Sequence, residues 1–539
     1  MRKYFWIGFV LVLASANLSF STLPSVLHPD SPPIVRISNG ALRGVRLSAS
    51  LSQVAFLGVP YAAPPVGELR WKPPQSAKNW DGTRDATVFG PVCPQFPQPW
   101  LPYVEGQEDC LYLNLWTAQL SPHANLPVIV FFHGGSNTAG YSQSTPLGLS
   151  LSRLGVIVVT ANYRLGPFGF LAHPALSAES EHQSSGNYGL LDQIQALRWV
   201  RENVSRFGGD PGRVTVMGQS SGAVDICLLM ASPLARDLFR AAILQSGECQ
   251  STLNEDIRKP VHYNFVEDTG EAVGQRLAKD LGIADGTGAL QKLRNIPANV
   301  ILKTWKQDAG VHFDAIVDGW VVPAQPAVIF ADGKQLLIPT LIGSDADEAS
   351  VFGDGGIHTV DQYKRYLQQY TGKFPDQEFA AYRANSDTDV AARYLQLQDD
   401  SFAYGAYSMA LAMTRAGQHA YLYEFTFAEA GKRARLGAHH GLELNFLSDS
   451  YPQDWQHDPE DKVLGETIRN CWAQFAKTGD PSYPGGPTWP AFDPHLDQLL
   501  ELGRDVRLRP IEPRLHVMQR LMLQAIADSS DATPCAKSN

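Results

Sequence analysis

Two rhythms of apolar and polar residues alternate along the chain. The segment Leu126–Phe132 is almost entirely apolar and stops at His133-Gly134-Gly135. Short apolar runs that end at turn residues fit strands buried on both faces. Similar runs occupy residues 155–160, 213–217, 241–244, 338–342 and 421–425. A helical rhythm separates them. Within 194–204, Ile194, Leu197, Val200 and Val204 fall on one side, and Phe207-Gly208-Gly209-Asp210-Pro211 then breaks the chain. Buried strands alternating with helices predict an α/β fold, with a large, mostly parallel central sheet covered by helices on both faces. Residues 271–305 and 363–399 keep the helical rhythm but are more polar. They read as helical cap insertions, around 251–335 and 355–415. With no Pro- or Ser-rich linker and no internal repeat, residues 22–539 read as one domain.

Composition narrows the function classes. Of 539 residues, 44% are apolar and 18% charged, which supplies a core and excludes a disordered chain. Net charge is -10, with no basic run, so nucleic acid is a poor partner. The N-terminus carries an address. Arg2 and Lys3 precede an uncharged, mostly apolar run from Tyr4 to Ala16, and Ala14-Ser15-Ala16 offers small residues for cleavage. That run is too short to span about 30 Å of hydrocarbon. Residues 1–21 therefore read as a secretory signal cut after 16 to 21, which predicts export to the periplasm or medium. No later apolar run is long enough for stable membrane insertion. The six cysteines all lie beyond the signal. In an exported chain an even count suggests disulfides. Sequence proximity favours Cys93–Cys110 and Cys227–Cys249, leaving Cys471–Cys535.

Gly218-Gln219-Ser220-Ser221-Gly222 has the G-x-S-x-G pattern. Alone it is common. Here a strand runs into it and an apolar stretch, 223–230, leaves it, which is the strand–turn–helix that exposes a serine nucleophile beside amides at a helix start. With this elbow go Glu108-Asp109-Cys110-Leu111-Tyr112-Leu113-Asn114, the stretch from Gly186 to Gln193, and the Phe207 to Pro211 turn. Together they resemble the type-B carboxylesterase and cholinesterase-like family of α/β-hydrolases, from about Val35 to Trp489. Two departures stand at the elbow. Many members have Glu where Gln219 stands and Ala where Ser221 stands.

The resemblance implies a serine esterase acting on a small-molecule ester through an acyl-enzyme, without cofactor or metal. An acyl-transfer serine needs a base, and the base needs an orienting carboxylate. The chain order on this fold is serine, acid, histidine. Gly343-Ser344-Asp345-Ala346-Asp347-Glu348 matches the family stretch that ends in the acid, implying Glu348. Asp345 and Asp347 read as a solvated loop cluster. His440-Gly441-Leu442-Glu443-Leu444 matches the family's His-Gly-x-Glu-Leu, implying His440 as base with His439 flanking it. By the same match Glu443 supports the site by hydrogen bonding, and Ser246 bonds the catalytic acid. The amides of Gly135, Ser136 and Ser221 are implied as the oxyanion hole, Ser136 standing where a third glycine is common. Arg70 with Glu108 and Arg164 with Asp192 resemble internal ion pairs of the family. Alternatives are a lipase, a cholinesterase-type specificity, or a non-catalytic interaction domain. Gln219 removes a charge beside the nucleophile, and Val351 stands where cholinesterases carry an aromatic. Both weigh against a cationic substrate. Phe352 and Trp320 are expected as wall residues. Trp100 lies near where the family's choline-site Trp falls.

Overall fold

The computed structural model describes residues 32–47, 53–98, 106–251, 253–261, 268–284, 286, 288–307, 312–371, 378–428, 431–451 and 459–531. The signal segment, Trp100 and Cys535 lie outside the described residues. Eleven strands form the main sheet: β1 (Val45–Arg46), β2 (Val54–Pro60), β3 (Tyr112–Thr117), β4 (Leu126–Phe132), β5 (Ile157–Ala161), β6 (Gly209–Gln219), β7 (Ala241–Gln245), β8 (Thr340–Asp345), β9 (Ala420–Phe425), β10 (Gln498–Leu502) and β11 (Val506–Pro510). Their spatial order is β11-β10-β9-β8-β7-β6-β4-β5-β3-β2-β1. From β5 through β10 every pairing is parallel, and the flanking strands are antiparallel.

Strand alternation explains why these segments are apolar throughout. On β4, Val128, Val130 and Phe132 enter one core, while Ile129 and Phe131 enter the other. On β7, Ala242 and Leu244 face the first, Ala241 and Ile243 the second. Successive side chains point to opposite faces, so both faces must be apolar where both are covered. Helices α1 (Tyr188–Asn203), α2 (Ser221–Ala231), α3 (Val390–Arg415), α4 (Glu443–Ser448) and α5 (Pro459–Thr478) contribute to that cover.

Boundaries differ from the sequence reading for local reasons. Helix α1 starts at Tyr188; Leu190 extends the Ile194 face, and Tyr188 and Leu191 are buried on other sides, so the helix is covered nearly all round there. The break after Phe207 is confined to Gly208, which has φ 94°, and Gly209-Asp210-Pro211 already belongs to β6. The register of β4 against β6 shifts between Leu126 and Val128, an irregularity that accommodates Pro127. Strand β8 runs on to Asp345, so part of the supposed loop is sheet. The polar region 271–305 folds as three helices, Gly270–Asp280, Ala289–Asn295 and Ala298–Gln307. Arg70 ties this region to the body. It pairs with Glu108 through two nitrogens and donates to the carbonyls of Arg294 (3.0 Å) and Ile296 (2.6 Å). Arg164 pairs with Asp192 through two bonds of 2.8 Å in the interior.

The disulfides Cys93–Cys110 and Cys227–Cys249 are formed. Cys471 departs from the expected third bridge. It is a free thiol on the inward face of α5, and burial among apolar side chains pushes it up to about 12. Asn203-Val204-Ser205 has the N-x-S pattern of a glycosylation sequon. Asn203 is buried, and its amide oxygen accepts from Ser38 N–H (3.2 Å).

Candidate active site

Strand β6 occupies the middle of the sheet, and its carboxyl end delivers the elbow. Ser220 follows Gln219 with φ 55° and ψ -129°, and α2 begins at the next residue. A serine held at positive φ costs roughly 1–3 kcal/mol, so the surroundings must enforce it. They do so by close approach. A side-chain carbon at Gly222 would stand 2.3 Å from the Phe132 carbonyl oxygen. Ser220 N–H donates to the Gln245 carbonyl of β7 (2.8 Å), and the Ser220 carbonyl accepts from Ala223 N–H (2.8 Å).

Parallel strands end at one edge, which gathers the remaining groups. Strand β4 ends there in the His133 to Ser136 turn, β8 leads to Glu348, and β9 leads to the loop bearing His440. Glu348 is fully buried. One carboxylate oxygen accepts from Asp345 N–H (2.8 Å), and the other bonds His440 Nδ1. That contact fixes the neutral tautomer, with hydrogen on Nδ1 and the lone pair on Nε2. Burial lowers the His440 pKa, but the adjacent Glu348 carboxylate, with Glu443 behind it, holds it above the ordinary imidazole value.

Nε2 faces Gln219 rather than Ser220. The Gln219 carboxamide nitrogen lies 3.0 Å away, and among the described residues no hydrogen bond joins Ser220 Oγ to His440. With Nδ1 on the carboxylate, the amide N–H donates to the lone pair. Phe352 and Phe402 flank the imidazole, with ring centroids at 5.1 and 5.3 Å, and stack on each other at 6.2 Å. The aromatic wall absent at Val351 is thus supplied by Phe352 and by Phe402 of α3. The latter carried no sequence signal, because only packing brings α3 here. Trp320 stacks on His182 at 3.8 Å.

The glycine turn lies against the elbow. A side-chain carbon at Gly134 would stand 2.6 Å from the Gln219 carbonyl oxygen and 2.9 Å from Ser220 Cβ. Ser136 and Asn137 have φ 54° and 53°. The N–H groups of Gly135, Ser136 and Ser221 enter none of the hydrogen bonds of the described residues. The Ser221 hydroxyl accepts from Asn137 N–H at 3.1 Å, which gives this elbow substitution a use. Behind the turn, the Asn137 side chain donates to Asp225 (2.9 Å) and Asp314 (2.7 Å). Burial, with the Asp314 charge, pushes Asp225 up to about 8.

Three expectations need correcting or extending. Ser246 Oγ is buried without a protein partner, so the expected bond to the acid is not made; Asp345 N–H takes that place. Asp345 is not solvated, being 1% exposed at the end of β8. Asp347 is exposed, yet it accepts from Ala438 N–H (2.8 Å) and so holds the His440 loop. Glu443 is buried and accepts from the Gln245 side chain at 2.8 Å.

A model of the carboxylesterase family matches residues 31–519. The chain belongs to the carboxylesterase family. Among its relatives, it is 36% identical to fumonisin B1 esterase of Sphingopyxis macrogoltabida over 91% of this chain and 90% of that protein. It is 35% identical to para-nitrobenzyl esterase of Bacillus subtilis (strain 168), over 86% and 94%. Among solved structures, a Geobacillus stearothermophilus carboxylesterase superposes with TM-score 0.78 at 30% identity, covering 90% of this chain and 99% of that one. Those solved relatives have the α/β-hydrolase fold. This carboxylesterase is accordingly a serine hydrolase acting on carboxylic esters.

Proposed function

We propose that the carboxylesterase works through an acyl-enzyme on Ser220, with His440 as general base and Glu348 as its orienting acid. The observation that carries this reading is the partly exposed His440 ring, held by the buried Glu348 at the sheet edge where the Ser220 elbow and the glycine turn meet. Substrate binding replaces the Gln219 donor at Nε2 with the Ser220 hydroxyl; such contacts commonly tighten only in the complex. Ser220 Oγ then attacks the ester carbonyl while His440 takes its proton. The developing oxyanion accepts from the N–H groups of Gly135, Ser136 and Ser221, each donor contributing about 2.7–4 kcal/mol to the barrier reduction. His440 returns the proton to the leaving alcohol, and water repeats the sequence on the acyl-enzyme.

Ser220→Ala is expected to fold normally and lose on the order of 10⁶ in the rate of nitrophenyl ester hydrolysis. It should also escape fluorophosphonate labelling. Near-wild-type turnover in that variant would refute the assignment. The non-catalytic reading predicts no labelling of the wild type. The neutral Gln219 beside the nucleophile favours uncharged esters over choline esters, and a panel varying acyl length and alcohol charge tests this. We further propose export as a single domain, with residues 1–21 as a cleaved signal. Two disulfides fit an oxidising compartment. Among the described residues no helix is long and apolar enough to cross a membrane. Mass spectrometry of the secreted protein gives the cleavage site.

A further inference from the structure

We propose that Asp345 is a positioning residue that clamps the base-bearing loop onto the acid-bearing strand, and that it does so while sharing one proton with Glu443. This rests on the assignment of Ser220, His440 and Glu348, and goes beyond it.

The clamp is a set of three bonds from one buried residue. Asp345 N–H donates to Glu348 (2.8 Å), and Asp345 Oδ2 accepts from Gly441 N–H (2.8 Å) and Leu442 N–H (3.3 Å). Those two amides directly follow His440. Asp345 thus links the acid, through its N–H, to the base-bearing loop, through its side chain. Asp347 ties the same loop at Ala438, its N–H donating to the Ala438 carbonyl (2.9 Å) and its carboxylate accepting from Ala438 N–H (2.8 Å).

The second oxygen explains the proton. Asp345 and Glu443 are both 1% exposed, and each carboxyl acts directly on the other. Glu443 Oε1 is occupied by the Gln245 amide (2.8 Å), whereas Glu443 Oε2 and Asp345 Oδ1 are buried with no hydrogen-bond partner among the described residues. Two carboxylate oxygens cannot meet in the interior unless one carries a hydrogen. Glu348 adds a further negative charge that strengthens this requirement; His440 and Tyr423 of β9, whose buried hydroxyl has no partner among the described residues, also face the pair. A cavity of about 330 Å³ beside it is lined by Asp399 and Glu424, and the Arg514 on its wall is bound to Asp400. Burial first, then the charges of Glu443 and Glu348, holds the Asp345 carboxyl well above the usual range. The pair gives up its proton as pH rises through its own folded-state value, which stands above the ordinary carboxylate range. Two negative charges then repel across the clamp.

The test compares wild type, Asp345→Ala and Asp345→Asn in the full chain. Asn keeps the oxygen that accepts from residues 441 and 442, and its amide donates to Glu443 without any titrating proton. Asp345→Ala is expected to lose about 100-fold in kcat on a nitrophenyl ester with KM changed less than about threefold, and Asp345→Asn to recover most of that loss. On the alkaline side the wild-type kcat should decline along a limb that Asp345→Asn lacks. Full activity in Asp345→Ala, or no recovery in Asp345→Asn, overturns the clamp. The same alkaline limb in wild type and Asp345→Asn overturns the shared proton. If Asp345→Ala does not fold, Asp345→Asn still decides the second point. Fluorophosphonate labelling of the wild type separates the two levels. An unlabelled wild type removes the Ser220 assignment itself, whereas a labelled wild type with indifferent Asp345 variants removes only this inference.

Discussion

Replacing Gln219 by Glu changes one atom type at the base and reverses what His440 feels. In the structure the carboxamide nitrogen stands 3.0 Å from Nε2 and donates to the lone pair of the neutral ring. A carboxylate in that place accepts only, and so favours the imidazolium. With charge centres near 4 Å, the Coulomb energy is about 4 kcal/mol at an effective dielectric of 20. Since a pKa unit is about 1.4 kcal/mol, three units is the ceiling, and side-chain relaxation brings the expected rise to about 1–2 units. His440 already lies above the ordinary imidazole value, so the shift adds to an existing one in the same direction. A base that stays protonated to higher pH is inactive to higher pH. The acid limb of kcat/KM, which reports the free enzyme, should therefore move up by about 1–2 units in Gln219→Glu. On the alkaline plateau the variant should equal or exceed wild type, because Ser220 no longer competes with an amide for Nε2. The assay is kcat/KM for a neutral nitrophenyl ester in constant-ionic-strength buffers, with circular dichroism as the folding control. A midpoint within about 0.3 unit of wild type would refute the reasoning.

Other changes test the frame around the site. Ser221→Ala removes the acceptor for Asn137 N–H and leaves that buried group unpaired, at a cost of about 1–3 kcal/mol; kcat should fall more than KM changes, measured on the same ester. Asp225 keeps a proton in the folded chain up to about pH 8, which the unfolded chain releases near its ordinary value of about 4. Its contribution is thus complete below about pH 4 and is lost on approaching pH 8, with a slope of about 1.4 kcal/mol per pH unit. Urea unfolding of Asp225→Asn from pH 5 to 8 should show one proton less in that slope. Asp192→Asn leaves the Arg164 guanidinium buried with half its partner and should destabilise by about 3 kcal/mol, read as a lower urea midpoint with unchanged slope.

The parts of this protein that were legible in the chain are those where local sequence and chemistry coincide. Segments such as Leu126–Phe132 had to be strands with two covered faces, because no half-exposed strand tolerates seven such residues in a row. The elbow was legible because glycines flank a serine between a strand and a helix, and the meeting of Glu348 with His440 was implied by short motifs that resemble the family's. Nearness in sequence also sufficed for the two short disulfide loops. What the sequence could not settle depends on the depth and direction of side chains. Asp345 reads as one acid in an acidic loop, and becomes a buried clamp only because β8 extends to it and the 440 loop folds over its end. Gln219 reads as a lost charge, and becomes a donor to the base only when β6 and the loop after β9 meet. Phe402 lies on a long helix with nothing to mark it, until α3 packs beside the imidazole. Local pattern determines which residues can carry charge, turn or span. Only the three-dimensional packing determines which of them lose their water, and a polar group that has lost its water must find a partner.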